Sequence, residues 1–286
     1  TGFSPITVTR NMLAKSQRCT LPTVSTTFYE HLFGVRDKVI LVTGGTRGIG
    51  LMIAEGLVRC GARVYVSSRK EDACREAEAQ LSKLGACVAI PCDISTIAGC
   101  KELAGILQAS EDKLHVLVNN AGLTWSLDID EFTEKAWDRV MDLDVKSPFF
   151  LTQALLPQLR AAATHDQRSS IINITSVNGL KPGGLRNYSY VAAKAGLGQL
   201  TAQMARDLMD DHINVNAIAP GPFKSKMTAP LYATEEMEIQ VRESFPMKRW
   251  GSMEDASGLT IFLSSRAGSY LTGVTLPCDG GATTIG

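Results

Sequence analysis

Charge of one sign is missing from this chain. Its 29 Lys and Arg balance its 29 Asp and Glu, so there is neither a basic footprint for nucleic acid nor an acidic tail. The four histidines (His31, His115, His165, His212) are scattered, without the H-x-x-x-H or H-E-x-x-H spacing of a metal site, and no metal is expected. No apolar run approaches the roughly 18 residues that a membrane span needs. Paired C-x-x-C spacing is also lacking. The seven cysteines (Cys19, Cys60, Cys74, Cys87, Cys92, Cys100, Cys278) are an odd number, and several lie inside apolar segments. They read as reduced, core-filling thiols of an intracellular, cytoplasmic protein.

Acidic residues are absent before Glu30, where the chain is rich in Ser and Thr and carries Arg10, Lys15 and Arg18. Residues 1–34 therefore read as a flexible extension; the same composition suits a mitochondrial leader or a cloning remnant. From Lys38 the texture changes. VILVT (39–43), RVYVSS (63–68), ACVAIP (86–91), LHVLVNN (114–120), IINITS (171–176), INVNAIAP (213–220) and LTGVTLP (271–277) alternate with helical patterns. Those helices are expected after Gly48, over Lys70–Leu84 and Ser95–Ala109, as one long helix from about Thr133, around Tyr190, and over Met253–Ser265. Strand-like runs alternating with helices specify a parallel sheet covered on both faces, in a single domain spanning 35–286.

Between the first strand and the first helix stands Thr43-Gly44-Gly45-Thr46-Arg47-Gly48-Ile49-Gly50. Glycines at such a junction let the backbone approach a pyrophosphate, which then rests on the helix N-terminus. The expected architecture is thus a Rossmann-type, doubly wound seven-stranded α/β fold. A NAD site would place an acid after the second strand to hold the ribose 2′-hydroxyl. Here the residues are Ser67, Ser68, Arg69 and Lys70. With Arg47 they suit a 2′-phosphate, and NADP(H) is the expected cofactor.

A third constellation lies in SVNGLKPGGLRNYSYVAAK (176–194). Tyr190 and Lys194 are four apart and share a helix face. A nearby cation favours the phenolate, which makes the phenol usable in proton transfer, and Ser176 can offer a hydroxyl to the same oxygen.

Together TGGTRGIG, Cys92-Asp93-Ile94, Asn119-Asn120-Ala121-Gly122, Ser176, Y-x-x-x-K and Pro220-Gly221 resemble the short-chain dehydrogenase/reductase family, over roughly Val35–Gly281. Within it, INVNAIAPGPF-x-S-x-MT and the closing DGG are similar to β-ketoacyl-carrier-protein reductases of the rhamnolipid-pathway type. The resemblance implies that Asp93 and Ile94 flank the adenine and that Asn120, Ala121 and Gly122 line the nicotinamide ribose. It places Pro220, Gly221, Phe223 and Ser225 at the carboxamide. Ser176 would polarise a ketone, Tyr190 would deliver the proton, and Lys194 would bind the ribose and assist Tyr190.

The family's fourth catalytic member is an asparagine in the long helix; alignment of MDLDVKSPFFLTQALLP puts Asp144 there. Trp137, Val140, Met141, Asp144 and Pro148 fall on one helical stripe, so the carboxylate is expected to face inward. Pro148 lacks an N–H and frees the carbonyl of residue 144, which in the family holds a relay water. Two consequences stand open, a raised lysine pKa or a protonated Asp144. Three origins stand open too: natural variation, an engineered change, or a site drifting from redox work.

Substrate walls are expected at 123–130, 178–187 and 223–247. The last is a lid carrying Met227, Leu231, Tyr232, Met237, Phe245 and Met247 over a hydrophobic ketone, either free or carrier-bound. Ala154, Ala161, Ala192, Ala193, Ala202 and Ala205 permit close helix approach; in relatives these helices pair across a tetramer interface. A homotetramer or homodimer is expected, the alternative being a monomer that packs these faces internally. The rivals to ketone reduction are alcohol oxidation with NADP and a cofactor-binding scaffold without net redox chemistry.

Overall fold

The computed structural model describes residues 26–285, so most of the proposed N-terminal extension lies outside the described residues. Residues Thr26–Phe33 form α1. Seven strands follow: β1 (Val39–Thr43), β2 (Arg63–Ser68), β3 (Cys87–Pro91), β4 (Val116–Asn119), β5 (Ser169–Ile174), β6 (Ile213–Pro220) and β7 (Thr275–Cys278). They form one parallel sheet in the order β3-β2-β1-β4-β5-β6-β7. Every residue of β1, β4, β5 and β6 is buried, as strands covered on both faces must be.

The helices divide between those faces. On one, α2 (Gly48–Arg59), α3 (Glu71–Leu81) and α9 (Met253–Ser264) close over Ile40, Val42, Val64, Val116 and Ile172. On the other, α4 (Ile97–Ser110), α6 (Ser147–Ala162) and α7 (Tyr188–Asp207) close over Leu41, Leu117, Ile171 and Val215. The strand order reverses between β1 and β4, the place where a doubly wound sheet opens a crevice at its carboxyl edge.

The expected long helix from Thr133 is broken. Residues Glu134–Met141 form α5, Asp142–Lys146 a π-turn, and α6 begins at Ser147. Pro148 has no N–H to give the carbonyl four residues back, and the Ser147 N–H reaches Asp142 instead. The inward stripe holds for Val140, Asp144 and Pro148, whereas Trp137 is exposed. One further helix, α8 (Glu235–Ser244), lies in the expected lid. Of the alanines, Ala193 and Ala205 pack into the core, while Ala161 and Ala192 face outward.

Candidate active site

The turn after β1 is built from two left-handed glycines, Gly44 (φ 64°) and Gly48 (φ 54°), a conformation that side chains disfavour. Thr43 ties this turn to the end of β4. Its Oγ1 accepts the main-chain N–H groups of Asn120 and Ala121 at 3.0 Å each, and the Asn120 amide donates to the Thr43 carbonyl at 2.8 Å. The turn is so tight that a Cβ on Gly50 would lie 2.3 Å from the Asn120 amide nitrogen. The first turn of α2 holds no acidic residue, and Arg47 at its N-cap makes no side-chain capping bond. Its N–H groups thus present uncompensated positive charge to the crevice, and this glycine cradle fits a pyrophosphate.

Arg47, Arg69 and Lys70 are exposed, and none forms an ion pair among the described residues. The nearest acids in sequence, Glu71 and Asp72, are both engaged by Arg75. After β3, Asp93 turns its Oδ1 to the Ser95 N–H (3.1 Å). Ile94 is 5% exposed and packs in the core with Cys100 and Leu103. Phe223 likewise is 3% exposed and packs against Gly251 and Ile218. Both are expected beside a cofactor, but their side chains are buried in the core, which leaves only backbone to meet one. Pro220 and Gly221 end β6, and Ser225 closes over the first turn, its Cβ 3.4 Å from where a Cβ on Gly48 would stand.

The second half of the site hangs on β5 and α7. Ser176 follows β5 and accepts the Asn178 N–H on its Oγ at 3.2 Å, which leaves its own proton free to donate. The short turn Val177–Gly179 rests directly on α7: a Cβ on Gly179 would lie 2.7 Å from the Lys194 carbonyl carbon. Tyr190 is buried beside Val140 and Ala193, with Leu123 and Trp125 against the cluster. The Lys194 Nζ lies 5.5 Å from the Tyr190 ring centroid and donates to the Ile174 carbonyl at 3.0 Å.

Asp144 completes the group. Its Oδ2 is 3.0 Å from Lys194 Nζ, with the two side chains 0% and 4% exposed, and its Oδ1 accepts the Leu123 N–H at 2.9 Å. Burial pushes the Asp144 carboxyl up, against the pull of Lys194 and of the Leu123 N–H. Burial works against the Lys194 charge as well, yet the Asp144 carboxylate outweighs it and holds the lysine above its ordinary value. A 3.0 Å contact closed to solvent is an ion pair. The raised lysine is thus the consequence that the geometry favours.

The profile of a family described as Enoyl-(Acyl carrier protein) reductase matches residues 44–283. The chain is 43% identical over 249 residues to the rhamnolipids biosynthesis 3-oxoacyl-[acyl-carrier-protein] reductase of Pseudomonas aeruginosa, covering 87% of this chain and 97% of that one. The solved RhlG/NADP active-site complex of Pseudomonas aeruginosa superimposes with a TM-score of 0.86 at 42% identity, covering 88% of this chain and 99% of that one. A putative 2-deoxy-D-gluconate 3-dehydrogenase from Agrobacterium tumefaciens, solved with bound NADP, gives a TM-score of 0.75 at 36% identity, covering 87% and 98%. The chain belongs to the short-chain dehydrogenase/reductase family.

Several supports of this short-chain dehydrogenase/reductase site escape motif reading. Thr43 is one. The buried chain from Asn119 to Asn173 (2.9 Å) to Thr201 (2.9 Å) is another, pinning β4 and β5 to α7. Trp125, beneath the Arg139 guanidinium at 5.5 Å, is a third. Across the site, Trp250 stacks edge-on with Tyr232 and Phe245 at 5.6 and 5.2 Å. Lys224 pairs with Glu238 at 2.5 Å and so fastens α8 to the loop after β6. Among the described residues no cluster of His, Cys, Asp or Glu has the makings of a metal site, and no helix is long and apolar enough to cross a membrane.

Proposed function

We propose that this protein is an NADPH-dependent reductase that converts a ketone to an alcohol, the ketone being a β-ketoacyl thioester or the carbonyl of an apolar secondary metabolite. The observation that carries this reading is the convergence of Ser176, Tyr190 and Lys194 beside the glycine cradle at the carboxyl edge of β1, β4 and β5. The cradle residues Gly44, Thr46, Gly48, Ile49 and Gly50 hold the pyrophosphate. Arg47, Ser68, Arg69 and Lys70 hold the 2′-phosphate. Asp93 and the Ile94 backbone border the adenine, and Asn120–Gly122, with the segment Pro220–Ser225, border the nicotinamide half. Bound NADPH supplies the hydride that the carbonyl carbon takes up.

The protein's own groups manage the oxygen and the proton. The Ser176 hydroxyl, which accepts the Asn178 N–H on one of its two lone pairs, donates its proton to the carbonyl oxygen and fixes the ketone's orientation. Tyr190 gives that oxygen its proton, and Lys194, cationic through Asp144, steadies the charge left on the phenol. Buried surroundings keep these electrostatic terms large.

Leu123–Asp130, Asn178–Asn187 and the lid at 223–247 wall the substrate. Met227, Met237 and Met247 remain exposed on that lid, and flexible apolar side chains there favour a hydrophobic substrate. We further propose a cytoplasmic homotetramer or homodimer assembled through α6 and α7, whose outward alanines allow close packing.

The test is consumption of NADPH, with NADH in parallel, against an acetoacetyl thioester and a panel of bulky cyclic ketones. Turnover that requires NADPH and a ketone supports the assignment. Tight NADPH binding without turnover of any member counts for the non-redox scaffold.

A further inference from the structure

An indole and a guanidinium meet at the edge of the site. Trp125 lies in the loop after β4, two residues beyond Leu123, and packs half-buried against the cluster of Val140, Tyr190 and Ala193. Its ring carries the Arg139 side chain of α5, whose Cζ stands 5.5 Å from the ring centroid. A cation over an aromatic face is attracted by the ring quadrupole, and a planar guanidinium so stacked keeps its N–H donors at its rim. Stacking therefore steadies Arg139 while leaving it able to donate.

No carboxylate claims those donors. Arg139 forms no ion pair among the described residues, and neither does Lys135, one turn earlier on α5. Of the nearby acids, Asp142 is held by Lys146 at 3.0 Å. Glu134 and Asp138 fall on the adjoining ridge of the helix and pair with neither cation. Residues 135 and 139 lie one above the other on a helix face, where like charges destabilise the helix. Two cations that repel each other thus stand uncompensated on α5, one of them fixed to a ring that touches the Tyr190 cluster.

We propose that Arg139, seated on Trp125, is the subsite for an anionic group of the substrate. The group is an oxyanion, phosphate or carboxylate, held away from the ketone by the length of substrate that crosses the indole. The rim of the guanidinium offers it paired, charge-assisted hydrogen bonds, and Lys135 adds to the attraction. The inference rests on the reduction proposed above and narrows its substrate: a ketone with a negatively charged tail is preferred to a wholly apolar one. Such a tail has two sources, the phosphate that ends the pantetheine arm of a thioester and the carboxylate of a free keto acid.

Two matched pairs of probes separate these sources. Acetoacetyl-phosphopantetheine and acetoacetyl-pantetheine differ only in the phosphate; levulinate and methyl levulinate differ in the carboxylate charge. Wild type should favour the anionic member of one pair by about tenfold in KM, with little difference in kcat, since such a contact is made equally in the ground and transition states. Added salt should erode that preference. Arg139→Gln should reduce it to within about twofold, whereas Arg139→Lys, which keeps the charge and loses the stacked plane, should retain part of it. Trp125→Ala should also lower the preference, because the guanidinium loses its shelf. The pair that responds identifies the source. No preference in wild type, or a preference that survives in Arg139→Gln, would overturn the subsite. If no probe is turned over, calorimetric titration of phosphopantetheine and levulinate, with and without saturating NADP, decides instead. Binding that weakens about tenfold in Arg139→Gln would support the subsite and count against the reductase assignment alone. Binding that is absent in wild type, or equal in both proteins, would overturn it.

Discussion

Thr43 and Asn120, at the ends of neighbouring strands, are locked to one another by main chain and side chain together. Thr43 Oγ1 accepts the Asn120 N–H at 3.0 Å while the Asn120 amide returns to the Thr43 carbonyl at 2.8 Å. This clasp ties the carboxyl ends of β1 and β4 together at the switch point, beside the glycine turn after β1. Thr43→Val keeps the shape but strands the N–H groups of Asn120 and Ala121. We expect a loss of about 2–4 kcal/mol in urea unfolding, with NADPH affinity falling alongside. A stability change under about 0.5 kcal/mol would mean that water replaces the hydroxyl.

Tyr190→Phe removes only the hydroxyl from a side chain packed among Val140, Ala193 and Leu123. The ring stays, and so does the ion pair behind it. Turnover should therefore fall by about 10²–10⁴, with NADPH affinity within about twofold of wild type. Single-turnover measurements separate the two effects. A variant that retains its rate would show that another group supplies the proton.

Arg69→Ala tests how the cofactors are distinguished. Arg69 is exposed and free of any ion pair among the described residues, so its removal disturbs no internal partner. Loss of a charge-assisted contact to a phosphate should raise the NADPH dissociation constant about ten- to a hundredfold and leave that of NADH nearly unchanged. Equal losses for both nucleotides would place Arg69 outside the 2′-phosphate site.

Much of this was legible in the sequence because the informative contacts are local. VILVT, RVYVSS and INVNAIAP, each closed by glycine, proline or charge, coincide with β1, β2 and β6 to the residue. Tyr190 and Lys194 are adjacent by helical geometry alone. The last strand, expected over 271–277, starts later: Thr272 meets Val215 through its side chain and Gly273 takes φ 78°, so the regular strand register with β6 begins at Thr275. Helix α8 was not anticipated, although Thr234 caps it and Glu235, Glu236 and Glu238 favour its positive end. The acceptor roles of Asp144 were out of reach for another reason. One partner is a main-chain N–H at Leu123, and residue type does not encode where a backbone donor points.

The far end of the sheet offers a pH test independent of the site. Lys38, just before β1, donates to the Ser264 carbonyl at 2.7 Å, and burial lowers its pKa to about 8. An unfolded lysine titrates near ~10.4. Between those values the unfolded chain holds a proton that the folded chain lacks, so stability must rise with pH across that window. Below it the desolvation penalty is fully present. Lys38→Met removes both the penalty and the bond to Ser264, which offset each other in part. The variant should therefore be more stable than wild type at neutral pH by about 1–2 kcal/mol. That advantage should shrink away as the pH approaches ~10. Urea midpoints for both proteins across this range decide the matter: a difference independent of pH would show that Lys38 titrates like a solvated lysine and that its burial is relieved by water.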